Sequence, residues 1–128
     1  MIRTYIVVTL DWVGLHHFPE AQESVSFLAY PHRHKFFIKV TVEVKHINRE
    51  LEFFTLQKHI KGFLPPEMAD LGSTSCEQLA MRVLNFLLDT YGRDRQIIVE
   101  VWEDKENGAI AHYTPEGEAV EPLPPAGE

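Results

Sequence analysis

Three histidines carry the clearest chemistry in this sequence. His32 and His34 flank Arg33 at the head of an alternating segment. On an extended chain, residues two apart project to the same side, so both imidazoles emerge together, roughly 6.6–6.8 Å apart along the backbone. Two ring nitrogens so placed can converge on one ion at about 2.0–2.1 Å. Their parity is that of Phe36, Ile38, Val40, Val42 and Val44, the apolar side of the segment. The pair therefore points to the mouth of the core, where a protonated imidazole is costly. His16 has the same relation to an earlier segment: Ile2, Ile6, Val8, Leu10 and Trp12 share its parity, and the series runs on through Gly14. If the two segments pair antiparallel, the end of the first lies beside the start of the second, and His16 approaches His32 and His34. A bare His-x-His also arises by chance on surface strands. Inward parity and a third histidine at the matching strand end favour a metal site, with zinc the expected ion. Three histidines leave one coordination position open, as catalytic zinc requires. His17, His46, His59 and His112 read as surface or edge residues.

The elements that must position these side chains follow from periodicity. Ile2 to His16 and Lys35 to His46 alternate as half-buried antiparallel strands do. Gln96 to Glu103 and Ala109 to Tyr113 are shorter strands, and the Asn107-Gly108 pair in their link predicts the hairpin turn. Between the two pairs, Leu56, Ile60, Phe63 and Leu64 follow helical spacing until Pro65-Pro66 ends it. A second helix carries Leu79, Ala80, Val83, Leu84, Leu87 and Leu88 in one stripe. Thr74 and Ser75, with Glu77 and Gln78 three residues on, form its capping-box start, and Tyr91-Gly92 its end. The expected fold is α+β: a four-stranded antiparallel sheet with two helices on one face, in the order ββααββ. A single domain over residues 1–114 is expected, followed by a loose tail over 115–128 with four prolines from Thr114 onward.

Composition narrows the function classes. The chain of 128 residues is long enough to bury a core without disulfides, and a lone cysteine, Cys76, permits no intrachain bridge. That fits a reducing, cytoplasmic setting, as does a first stretch lacking the charged and apolar regions of a secretory signal. A net charge of −7 without a basic stripe repels phosphate backbones, so nucleic acid is not an expected partner. No apolar run approaches the roughly 20 residues that span a bilayer, so no membrane partner is expected either. Glu103 shares parity with Ile97, Val99 and Val101, placing a carboxylate at the end of an apolar face. Such a group can accept two parallel hydrogen bonds from the N–H edge of a pterin, guanine or deazapurine.

The order of elements and five motifs resemble the 6-pyruvoyl- and 6-carboxy-tetrahydropterin synthase family, whose fold is the tunnelling fold, or T-fold. The likeness spans roughly Ile2 to Tyr113. It rests on Val13-Gly14-Leu15-His16-His17-Phe18, His32-Arg33-His34, Glu52-Phe53 with Thr55-Leu56, Thr74-Ser75-Cys76-Glu77-Gln78-Leu79-Ala80, and Val99-Glu100-Val101-Trp102-Glu103-Asp104. The resemblance implies zinc on His16, His32 and His34, a pterin ring anchored on Glu103 with Ser75 at the substrate, and a homo-oligomer, trimeric or hexameric. It implies a lyase of pterin or 7-deazaguanine (queuosine-type) synthesis, acting on 7,8-dihydroneopterin triphosphate or a related small molecule.

The chain departs from the family in its proton shuttle. No cysteine lies between Phe18 and Pro31, and no histidine follows Asp70 in the loop before the second helix. Glu20 or Glu23 in the loop ahead of His32 is a substitute base, and Glu23 is taken as the candidate. Cys76 is the other, in a helical first turn whose dipole can lower a thiol pKa. The alternative is a divergent T-fold protein that keeps the metal and the purine or pterin pocket with altered or lost catalysis. A cupin is rejected: its glutamate would fall near Ile38 or Lys39, and its barrel has no room for two central helices.

Overall fold

The computed structural model describes residues 1–117, so most of the expected tail lies outside the described residues. Four strands form one antiparallel sheet in sequence order: β1 (Thr4–His16), β2 (His32–Val44), β3 (Ile97–Glu103) and β4 (Asn107–Tyr113). Helices α1 (Phe53–Phe63) and α2 (Cys76–Tyr91) intervene between β2 and β3. The α+β architecture and the order ββααββ are those expected from the sequence. Alternation decides which face is covered. Val8, Leu10 and Trp12 of β1, Phe36, Ile38, Val40 and Val42 of β2, and Ile97, Val99 and Val101 of β3 are buried. They form one cluster with Leu56 and Ile60 of α1 and with Leu79, Val83, Leu84 and Leu87 of α2. Each such side chain, fully buried, contributes about 1.5–3 kcal/mol, which is what holds both helices to a single face.

Both helices start on side-chain caps. Glu52 accepts hydrogen bonds from Phe54 N and Thr55 N at 2.9 and 2.8 Å and opens α1. Ser75 and Gln78 exchange bonds in a capping box that opens α2. The loop between the helices does not wander. Met68 N donates to Val13 O, Leu15 N to Ala69 O, and Leu71 N to Leu15 O, so the loop covers the outer edge of β1 near its end. Asp70 serves that loop by accepting from Gly72 N at 2.7 Å.

Three expectations need correction. Ile2 stands outside β1, 93% exposed, because pairing with β2 ends at Thr4↔Val44. The segment ahead of β2 is not plain loop: a short 3-10 helix, kinked at Val25, runs Glu23–Ala29. It buries no residue, so no periodic apolar signal marked it. The hairpin turn also lies earlier than Asn107-Gly108. Both of those residues already pair within β4, and the chain reverses at Asp104 and Lys105, with φ of 52° and 61°. Aspartate tolerates that left-handed region better than most residues. Gly108 serves packing instead. A Cβ there would lie 2.5 Å from Val101 O and 2.7 Å from the Trp102 ring.

Candidate metal centre

The strand ladder brings the three histidines together. In the β1–β2 register His16 pairs with His32 and Gly14 with His34, so all three imidazoles project from neighbouring rungs of the buried face. In the β2–β3 register Glu103 stands opposite Phe36, one same-face step inward from His34. A carboxylate therefore meets the histidine cluster where the apolar core ends.

Each ring is turned by a partner on Nδ1. His16 Nδ1 lies 3.0 Å from Thr74 O, His32 Nδ1 2.9 Å from Tyr30 O, and His34 Nδ1 2.6 Å from an Asp104 carboxylate oxygen. A backbone carbonyl only accepts, so Nδ1 of His16 and His32 carries the proton, and the Asp104 carboxylate asks the same of His34. In a neutral ring that tautomer leaves Nε2 as the acceptor, as for the unpartnered Nε2 of His32 and His34, whereas Nε2 of His16 faces the Glu103 carboxylate. One ligand atom from each histidine lies within 4.8 Å of the others. Nε2 of both His32 and His34 is buried without a hydrogen-bond partner among the described residues. Such orphaned acceptors are costly unless something electropositive engages them. Three imidazoles, oriented through their far nitrogens, fit a divalent ion of the zinc type.

The remaining groups are placed as follows. Glu103 Oε1 lies 3.2 Å from His16 Nε2, and Oε2 lies 3.6 Å from His34 Nε2. This contact raises the His16 pKa above its ordinary value, against the opposing effect of burial. It lowers that of Glu103, chiefly through the same bond. Cys76 Sγ donates to Glu103 Oε1 at 3.4 Å. The expectation of a thiol activated by the α2 dipole is overturned: burial first, then the Glu103 charge, pushes its pKa up to about 12. A half-turn of helix dipole cannot offset both. Ser75 lines the cleft, but its hydroxyl is already engaged in capping α2. Glu23 is exposed at the first position of the 3-10 helix and is not among the residues lining the cleft.

The cleft itself, of about 450 Å³, opens between the ends of β1 and β3 and the start of α2. His16, His32, Cys76 and Glu103 line it, joined by His17, Glu77 and Asn107. His17 had read as a surface residue; its neighbour's parity was the only hint of its place. Asp104 was also missed as an orienting group. It stands 70 residues from His34 in sequence, and only the sheet joins them.

The same architecture recurs among solved structures. The 6-pyruvoyl tetrahydropterin synthase of Plasmodium vivax superposes with a TM-score of 0.62, covering 88% of this chain and 98% of that one at 13% identity. The Caenorhabditis elegans 6-pyruvoyl tetrahydropterin synthase gives 0.58 over 91% and 98%, at 12% identity. That of Plasmodium falciparum gives 0.59 over 86% and 97%, at 15% identity. This chain has the T-fold of the tetrahydropterin synthases. No protein-family model and no curated protein matches its sequence. At such identities the likeness is one of fold, and it extends over nearly the full length of each synthase.

Proposed function

We propose that this protein is a zinc-dependent lyase of pterin or 7-deazaguanine (queuosine-type) biosynthesis, acting on 7,8-dihydroneopterin triphosphate or a related pterin. The observation that carries the reading is the convergence of three imidazoles, each with Nδ1 engaged and Nε2 turned inward, in a T-fold cleft. His16, His32 and His34 would hold the ion. An ion held by them would supply Lewis-acid polarisation of the oxygens of a substrate side chain. Glu103 receives the N–H and exocyclic amine of the ring on its two oxygens and so fixes the ring edge-on. Its lowered pKa keeps it ionised for that task. Ser75, at the lip of the cleft, marks the start of the helix against which the substrate lies.

Glu23 is the base proposed from its place ahead of His32; in the single subunit it is exposed at the start of the 3-10 helix and does not line the cleft. Cys76 holds its proton far above neutral pH and acts as a donor that steadies Glu103. A carboxylate base is supported by a Plasmodium vivax synthase of the same fold, studied as a variant in which a catalytic glutamate is replaced by alanine. Among the described residues, the sheet leaves most of the outer edge of β1 and all of that of β4 unpaired. Exposed edges of this kind are closed by pairing with another copy. The assembly proposed is a homo-oligomer, trimeric or hexameric, acting on a small molecule in the cytoplasm. No helix among the described residues is long and apolar enough to cross a membrane.

A second reading is favoured by two observations. The thiol is locked against Glu103 and Asp70 is spent on a turn, so the chain could keep metal and ring binding with altered chemistry. One experiment separates the two. Zinc-loaded protein is incubated with 7,8-dihydroneopterin triphosphate, and triphosphate release is followed by mass spectrometry. Release supports the lyase. Ring and zinc binding without release supports the second reading.

A further inference from the structure

The charge of the cleft is the reverse of what a phosphate chain needs. Glu77 and Glu103 both line it, and among the described residues no lysine or arginine does. The described residues include every such cation of the chain, because the last of the twelve Lys and Arg is Lys105. Arg33 stands between two of the site histidines in sequence, so its parity places it on the opposite face of β2. On that face Lys35 pairs with Asp11, and Lys105 lies over the Phe37 ring. A helix start can stand in for a cation, since its free amides and dipole attract anions. The start of α2 serves its own cap instead. Ser75 N donates to Gln78 Oε1 at 2.9 Å and Gln78 N to Ser75 Oγ at 3.1 Å, while Glu77 adds negative charge to the first turn. The groups that remain suit an uncharged ring: Phe18 and Leu28 give the cleft apolar surface, Asn107 a neutral amide, and Glu103 two acceptor oxygens.

We propose that the cleft selects an unphosphorylated pterin- or purine-type ring and discriminates against the same ring carrying a phosphate chain. The proposal rests on the ring-anchoring reading of Glu103, and it narrows the substrate class named above to its phosphate-free members. A divalent ion on the histidines does not reverse the preference, because the two carboxylates of the same cleft balance its charge. A hydrolysis that removes phosphate must then supply this ligand from any phosphorylated precursor.

The test is calorimetric titration of the full zinc-loaded chain with 7,8-dihydroneopterin and with its triphosphate, zinc content being checked after each run. The unphosphorylated compound should bind at least about tenfold more tightly, the effect of one close like-charge pair between the limits of bulk water and a protein surface. The preference should shrink as salt rises from about 0.01 to about 1 M and the Debye length falls from about 30 to about 3 Å. Glu77→Lys, at an exposed position in the first turn of α2, should narrow it as well. Glu77→Gln, which disturbs the helix start less, should narrow it by a smaller step. Equal or tighter binding of the triphosphate by wild type would overturn the proposal, and it would leave ring capture standing if Glu103→Gln weakens both compounds. A preference indifferent to salt and to both Glu77 variants would overturn it too, because the charge of the cleft would not be the cause. Binding of neither compound with zinc retained removes the ring-anchoring reading of Glu103, and this proposal with it.

Discussion

Replacing Asp104 by asparagine tests whether the imidazole orientation is what makes the site competent. Asp104 serves two donors: Oδ2 takes His34 Nδ1 at 2.6 Å, and Oδ1 takes Lys35 N at 3.1 Å. An asparagine amide has one acceptor oxygen and one NH2 group, so it can satisfy only one of them. With the oxygen kept on Lys35 N, the NH2 meets His34 Nδ1. The ring proton is then driven to Nε2, the atom the metal needs. Asparagine also tolerates the left-handed backbone at this position, where φ is 52°. The substitution is therefore expected to spare the fold. The Asp104 side chain is 47% exposed, so its bond to His34 should contribute under about 1 kcal/mol to stability. Zinc affinity should fall by about 10–100-fold, equivalent to about 1.4–2.7 kcal/mol. Chelator competition near neutral pH measures the affinity, and thermal unfolding of the metal-free proteins measures the fold. An Asp104→Asn protein that binds zinc within about twofold of wild type would refute the orientation argument.

Further outcomes follow from the same geometry. His32→Ala or His34→Ala should abolish a content of about one zinc per chain, whereas His59→Ala, which loses only a bond to Tyr91 Oη, should retain it, as read by elemental analysis. Cys76 should resist alkylation in the folded protein. A thiol pKa raised from 9.0 to about 12 cuts the thiolate fraction at mildly alkaline pH about a thousandfold, and iodoacetamide labelling as fast as in denaturant would contradict this. By the same linkage the folded state holds this proton longer than the unfolded one, so stability should decline as pH rises beyond 9.0, measured by denaturant melts. Gly108→Ala should cost about 1–3 kcal/mol, because its Cβ meets Val101 O and the Trp102 ring. An unchanged denaturation midpoint would show that the strand relaxes freely there. Light scattering at micromolar concentration should report an oligomer; a monomer would remove the edge-pairing argument.

Much of the site was legible because strands impose a two-residue period and the core needs one apolar face. Trp12, Gly14 and His16 share parity, as do Phe36, His34 and His32, so the inward direction of all three imidazoles was readable from the chain. Glu103 was likewise readable as the end of an apolar row. Capping chemistry is local, so Ser75 and Gln78 announced the start of α2 directly. What lay beyond reach was everything set by register and by contacts between distant segments. Pairing of Phe36 with Glu103 is what brings the carboxylate to the histidines, and no local property of either strand specifies that rung. The hairpin was misplaced for a related reason. Asn-Gly is a good turn by propensity, yet Asp104 gains bonds to His34 and Lys35 by turning first, and Gly108 is required as a flat surface beneath Trp102. Cys76 shows the same division. Its place in the first helical turn was visible and suggested a lowered pKa, but burial and an adjacent carboxylate, both tertiary, push it the other way. Periodicity and caps act within a few residues and are written in the sequence. Register, burial and the second partner of each imidazole arise only when segments tens of residues apart are packed together.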